Sequence, residues 1–288
     1  MVTYNPKDWW RLIFAFHKSD TFRMMLPGMI GVAVFTGVVA YLENEIFGAT
    51  FKNTTVIHGL VGFVISMLLV FRTNTAYERW WEGRKAWGTF LNSGRNLALK
   101  LSTIGLSQVQ KEIFFDLITN YVYAAKEHLR NENPYDELLF NEKYNLNYYK
   151  GVLHLPNRIM KAIYHEINEL YLQKKISGEQ LLFLNDELKS FTDNIGVCER
   201  IKKTPIPYSY SIYLKKIIFI YVFTMPIGFV REFGYWAMPI VAIIFYVFGS
   251  IELLAEEIED PFGKDANDLP TDQIYETLKA NVAEIFEL

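Results

Sequence analysis

The stretch FRTNTAYERWWEGRKAWG, Phe71–Gly88, decides how the chain is read. It follows the uncharged run GLVGFVISMLLV. Within a few residues it introduces Arg72, Glu78, Arg79, Glu82, Arg84 and Lys85, with Trp80, Trp81 and Trp87 among them. An apolar run that ends in arginine and tryptophan has the order of a helix leaving a bilayer, where aromatic rings and snorkelling cations meet the headgroups. No proline interrupts Phe71–Arg84, so the helix is expected to run on past the membrane. At 1.5 Å per residue, Trp80 and Trp81 lie roughly 14 Å beyond Phe71. They are therefore expected to pack against cytoplasmic helices rather than lipid.

Working outward, the 288 residues are 51% hydrophobic and 16% aromatic, with a net charge of −3. The mean hydropathy of +0.07 suits bilayer segments joined to an ordinary charged part. No basic excess argues for nucleic acid. The single cysteine, Cys198, excludes an internal disulfide and reads as an inert buried thiol. The opening MVTYNPKDWWRLIFAFHKSD does not read as a signal peptide, because Arg11, His17 and Lys18 break its short apolar run.

A bilayer helix needs about 20 apolar residues. Four segments approach this, giving spans at approximately 24–42, 56–71, 213–231 and 236–252. Lysine and arginine flank the first span on its N-terminal side (Lys7, Arg11, Lys18, Arg23), follow the second, and precede the third at Lys202, Lys203, Lys215 and Lys216. The loop between the first two spans carries Glu43, Glu45 and only Lys52. The asymmetry places both termini and the middle section in the cytoplasm. The cytoplasmic part, approximately 72–212 and 253–288, reads as helices at Asn92–Ile104, Gln108–Arg130, Arg158–Lys175 and Gly178–Cys198, with a loop at NENPYDELLFNEKYNLNYYKG. The fold class is all-α.

On the second span Phe63, Met67 and Phe71 stand at i, i+4 and i+8, beside a stripe of small residues, Gly59, Gly62 and Ser66. Small stripes let membrane helices approach closely. Spacing alone leaves the large stripe open between lipid or core packing and the lining of a dry constriction.

The signature ending in Arg79, Trp80 and Trp81 resembles that of bacterial bestrophins after their second membrane helix. GVCERIKKTPIP, Gly196–Pro207, is similar to the family's approach to its third span, and EEIEDPFGKDANDLP, Glu256–Pro270, to the segment after its fourth. The resemblance implies a homopentameric ion channel, with four membrane helices per subunit continuing into a cytoplasmic helical assembly. Phe63, Met67 and Phe71 would be its neck, three stacked apolar rings able to gate by dewetting. A second constriction at the cytoplasmic exit would fall near Glu179, or at Leu181 or Leu182 if the register slips. A Glu179 ring would concentrate cations; the other reading of Glu179 is a first-turn residue favoured by the helix dipole.

Animal members of the family carry a calcium clasp after the PFG turn. Here Lys264 and Ala266 stand at two ligand positions, leaving Asp265 and Asp268, too few oxygens for a hard cation. No calcium activation, resident metal or cofactor is expected. The acidic residues Glu256, Glu257, Glu259 and Asp260 are instead available to pair with cytoplasmic arginines or the N-terminal segment. In YHEINELY, His165, Glu166 and Glu169 lack the second histidine of HExxH and read as a solvated helix face. Without a P-loop, GxGxxG or nucleophile elbow, no enzyme is expected. The expectation is a channel in the bacterial inner membrane passing small monovalent ions, cations favoured. The alternatives are an anion channel of the same architecture and a non-conducting membrane scaffold.

Overall fold

The computed structural model describes residues 20–47 and 54–288, and every regular element among them is helical. The basic residues Lys7, Arg11, Lys18 and Lys52 lie outside the described residues. Helix α1 is Asp20–Tyr41, followed by a π-helical turn at Leu42–Phe47. Helix α2 is Thr55–Ser102, 48 residues without a break. It passes through Gly83, Gly88 and Gly94 and absorbs the separate helix expected at Asn92. Helix α3 is Gln108–Arg130, α4 Leu155–Leu172, α5 Gly178–Lys203, α6 Tyr208–Thr224, α7 Pro226–Phe233, α8 Ala237–Glu259 and α9 Thr271–Phe286.

The helices group into two compact units. The first holds the described residues up to Glu78 with Pro205–Glu259; the second holds Arg79–Thr204 with Asp260–Leu288. Three stretches are long and apolar enough to cross a membrane: Thr21–Ile46, Thr55–Ser102 and Tyr208–Glu259. The last contains both α6 and α8. Between them Pro226 interrupts the helix expected at 213–231, since proline has no N–H to give. The Phe229 N–H reaches the Met225 carbonyl at 3.0 Å, so helical bonding resumes within a turn.

In the first unit α1 lies along α8. Glycine permits this approach: a Cβ on Gly28 would meet the Phe245 ring at 2.7 Å, and one on Gly249 would collide with Met25. Helix α2 contributes His58, Gly62, Ile65, Leu69, Arg72 and Ala76 to the interior, at alternating steps of four and three. Ile65 and Leu69 pack with Ile218, Tyr221, Val222 and Val241. Arg72 is 1% exposed. Its Nη2 lies 2.7 Å from a Glu259 oxygen and its Nε 3.6 Å from Glu252. Glu259 also accepts the Ile206 N–H at 2.7 Å, and Lys215 holds Glu256 at 2.8 Å. Part of the acidic cluster thus has its partners within this unit.

The second unit is built on Trp87, Phe90 and Leu97 of α2, Tyr121 of α3, Ile163 of α4, Phe191 of α5 and Leu278 of α9. The Tyr121 hydroxyl donates to the Phe191 carbonyl at 3.0 Å. Capping boxes open α3 at Ser107 and Gln110 and α5 at Ser177 and Gln180. Burial pushes the Cys198 thiol up to about 12, so it stays protonated and unreactive. Glu166 is buried rather than solvated: it accepts the Tyr144 hydroxyl at 2.5 Å and pairs with Lys143 at 2.6 Å.

Removing one member of a buried ion pair strands the other in the interior, typically at a cost of about 3–5 kcal/mol. Arg72→Ala leaves two carboxylates, so thermal or denaturant unfolding in detergent should register a loss of that order. A variant as stable as the parent would mean Arg72 does not hold this unit together.

Candidate functional site: an apolar helix face and its signature

Phe63, Met67 and Phe71 lie on an exposed face of α2, at 66%, 46% and 58% exposure. Successive members are about 6 Å apart along the axis. Leu60, Val64 and Val70 flank them and are also exposed, so the three form the middle of a broader apolar face. Asn74, Thr75 and Glu78 follow and, beside the exposed Tyr77, bring polar groups onto that surface. The small residues divide. A methyl on Gly62 would come within 2.6 Å of the Tyr221 hydroxyl, so Gly62 is where α6 approaches. Gly59 faces open space, and the Ser66 hydroxyl is satisfied by its own helix, donating to the Gly62 carbonyl at 2.8 Å.

The signature residues have structural duties in the second unit. A helix ends with unpaired carbonyls. At the end of α5 these are met by Arg79, whose Nη1 and Nη2 donate to the carbonyls of Thr204 at 2.5 Å and Ile201 at 2.6 Å. The Trp80 indole donates to the Asn267 carbonyl at 2.9 Å and packs against the core. Trp81 stacks on Trp80 and remains half exposed. Next to them a Cβ on Gly83 would sit 3.2 Å from Phe262 and 3.3 Å from Leu269. The motif therefore seats the 261–270 turn, a role that follows from contacts about 190 residues away in sequence.

In that turn Asp268 is buried, and its Oδ2 accepts the Asp265 backbone N–H at 2.7 Å. Asp265 is exposed, and Lys264 pairs with Glu132 at 2.6 Å. Asp268 serves the turn's own backbone. The hollow at this turn is lined by Arg130 and Lys264 as well as Asp265, Asp268 and Asp272, and Asp272 is already held by Arg130, a poor donor set for a divalent cation.

Glu179 is exposed in the first turn of α5. Bonding to Ser177 and to its own backbone holds its carboxyl below the usual range. Leu182, one turn on, is also exposed, whereas Leu181 packs on the core. Of the three candidates, Glu179 and Leu182 are the exposed ones.

Sequence reading missed His128, His154 and Glu199, which converge from α3, the cap of α4 and α5. Both imidazole Nε2 atoms lie 2.7 Å from one Glu199 oxygen. The His154 Nδ1 caps α4 by accepting the Asn157 N–H at 3.1 Å, which fixes the hydrogen on Nε2. Metal-bound histidines instead donate from their second nitrogen. The trio is set up as a hydrogen-bonded clasp, and a metal would require that cap to be undone. Burial holds the His128 imidazole below its usual range despite the Glu199 bond. Burial raises Glu199, but bonds from His154 and His128 outweigh it and leave the carboxyl depressed.

Residues 1–284 match the family model described as Bacterial/Fungal Bestrophin protein. A voltage-dependent anion channel-forming protein of Nostoc sp. is 36% identical, covering 100% of this chain and 94% of the relative. A like-named protein of Synechocystis sp. is 40% identical over 78% of this chain and 75% of the relative. Among solved structures, a bacterial bestrophin homologue from Klebsiella pneumoniae aligns with a TM-score of 0.82 at 26% identity, covering 90% of this chain and 97% of that one.

Both clasp groups bind fewer protons folded than unfolded, so acid weakens the second unit. The His128 contribution is lost as pH falls below about 6.5, and the Glu199 contribution below about 4.5. Melting temperatures should therefore decline as the buffer is taken from about pH 8 to about pH 5, and His128→Gln should flatten that part of the curve. The same slope in parent and variant would assign the acid sensitivity elsewhere.

Proposed function

Because the chain belongs to the bacterial and fungal bestrophin family, we propose that it forms an anion-conducting membrane channel, a homopentamer with Phe63, Met67 and Phe71 as its neck. The observation that carries this reading is the exposed line of those three residues in the apolar part of an unbroken helix. Five copies around an axis would give three apolar rings about 6 Å apart. Such a constriction controls conduction by wetting and dewetting. Asn74, Thr75 and Glu78 would follow as the wetter exit.

Cations were the expectation from the sequence, and that preference rested on the missing calcium clasp and a possible Glu179 ring. The relatives are named for anions. Glu179 has a local reason to be where it is, bonded at a helix N-terminus that favours negative charge. An aromatic ring is positive at its edge, so Phe63 and Phe71 with edges toward the axis would accommodate an anion shedding water. The donor set of the Asp268 turn supports a channel that works without calcium. The basic residues Arg72, Lys215 and Lys216 at the ends of apolar helices favour both termini in the cytoplasm of a bacterial inner membrane.

Purified protein in planar bilayers under a sodium chloride gradient should reverse near the chloride potential, with or without calcium. Phe63→Ala, Met67→Ala and Phe71→Ala together should raise the current, and Glu179→Gln should leave the reversal potential where it was. Reversal near the sodium potential that shifts in Glu179→Gln would restore the cation reading. No current from reconstituted protein would favour the scaffold.

A further inference from the structure

Among the described residues the first unit carries a groove that the channel reading does not use. Its upper part, about 260 Å³, is lined only by apolar side chains and glycine, chiefly Gly28, Gly31, Phe35, Phe219, Phe223 and Phe245. Phe223 stacks on Phe35 with centroids 4.3 Å apart and also meets Phe219. The floor stays low at Gly31, where an added Cβ would find nothing within 4 Å. Phe219 also lines a second hollow of about 350 Å³ with Ile212, Ile220, Lys215 and Lys216.

Residues 212, 215, 216, 219, 220 and 223 recur at three and four, so one face of α6 joins the two hollows. Lys216 stands about 10 Å along the axis from Phe223. Lys215 is engaged by both oxygens of Glu256. Lys216 is exposed and has no hydrogen-bond or ion-pair partner among the described residues.

We propose that this groove is a binding site for an anionic phospholipid, with an acyl chain over Gly31 between Phe35 and Phe223 and the headgroup phosphate on Lys216. The order along α6, apolar for two turns and then an available ammonium, is the order of such a lipid at the bilayer edge. A neighbouring copy of the chain would have to supply both an apolar wedge and an acidic group at that spacing. The proposal rests on the chain being embedded in a membrane and is independent of which ion it conducts.

The test uses the full chain purified in non-ionic detergent, with lipid adducts read by native mass spectrometry and melting temperature measured alongside. Phosphatidylglycerol should bind and stabilise more than phosphatidylcholine of the same chains, and glycerol phosphate should do neither. Lys216→Gln should weaken phosphatidylglycerol about fivefold, the loss of one lysine–phosphate attraction. Gly31→Leu, whose Cβ would meet nothing within 4 Å, should project into the groove and abolish adducts of both lipids. Unchanged phosphatidylglycerol binding in both variants would overturn the site. Binding of glycerol phosphate as tight as the lipid would make it a free-anion site. A Gly31→Leu chain that dissociates from its oligomer but keeps its lipid would make the groove a contact between copies. Bilayer currents of the unmodified protein are read separately, so failure of this site leaves the channel reading untouched.

Discussion

Arg72 is the constraint on which the first unit depends. It occupies the position where the apolar run of α2 stops, yet its side chain is turned inward and almost wholly enclosed. A guanidinium in that place is tolerable only with anions beside it. Glu259 supplies the close contact and Glu252 the more distant one. Because Glu259 also takes the Ile206 N–H, one carboxylate ties α2, the start of α6 and the end of α8 together. The arrangement is a buried electrostatic one, where much of the rest of that unit's interior is close glycine contacts and apolar packing.

Inward Arg72 has a geometric counterpart in outward Phe71. Consecutive residues on a helix are about 100° apart. Once Arg72 is anchored to α8, the side carrying Phe63, Met67 and Phe71 faces away from the packing. The steps of four and three from His58 to Ala76 hold the same rotation along the apolar section. A stripe of large side chains can then be left without partners in the chain while the helix bearing it is fixed in phase.

Much of this was legible in the sequence, and the limits have physical causes. The Gln108–Arg130 helix and the Gly178 start matched their expectations because Ser-x-x-Gln boxes mark both N-termini locally. The apolar runs were visible because a bilayer demands length without charge. By contrast, α4 begins at Leu155 rather than Arg158 because a histidine caps it. Helix α2 continues through three glycines because its second half is embedded in a core assembled from distant segments. Arg79 looked like an interfacial cation, but its partners are carbonyls more than 120 residues later. Glu166 looked solvated because the tyrosine that buries it comes from a loop with no periodic signal. Contacts between distant segments leave no local pattern, and this is where the reading of individual side chains failed.

The unbroken α2 also limits what lengths the chain can have. One residue added between Leu69 and Arg72 would turn Arg72 by about 100° relative to Leu69, while seven added residues would return it to within about 20°. Arg72 would turn away from the acids of α8, or Ile65 and Leu69 would leave Ile218, Tyr221 and Val241. Substitutions in this stretch are judged one side chain at a time, but a change in length is judged by every contact of that face at once. Mutational drift around Arg72 should therefore tolerate changes in spelling at exposed positions and be closed to single insertions, as in a reading frame.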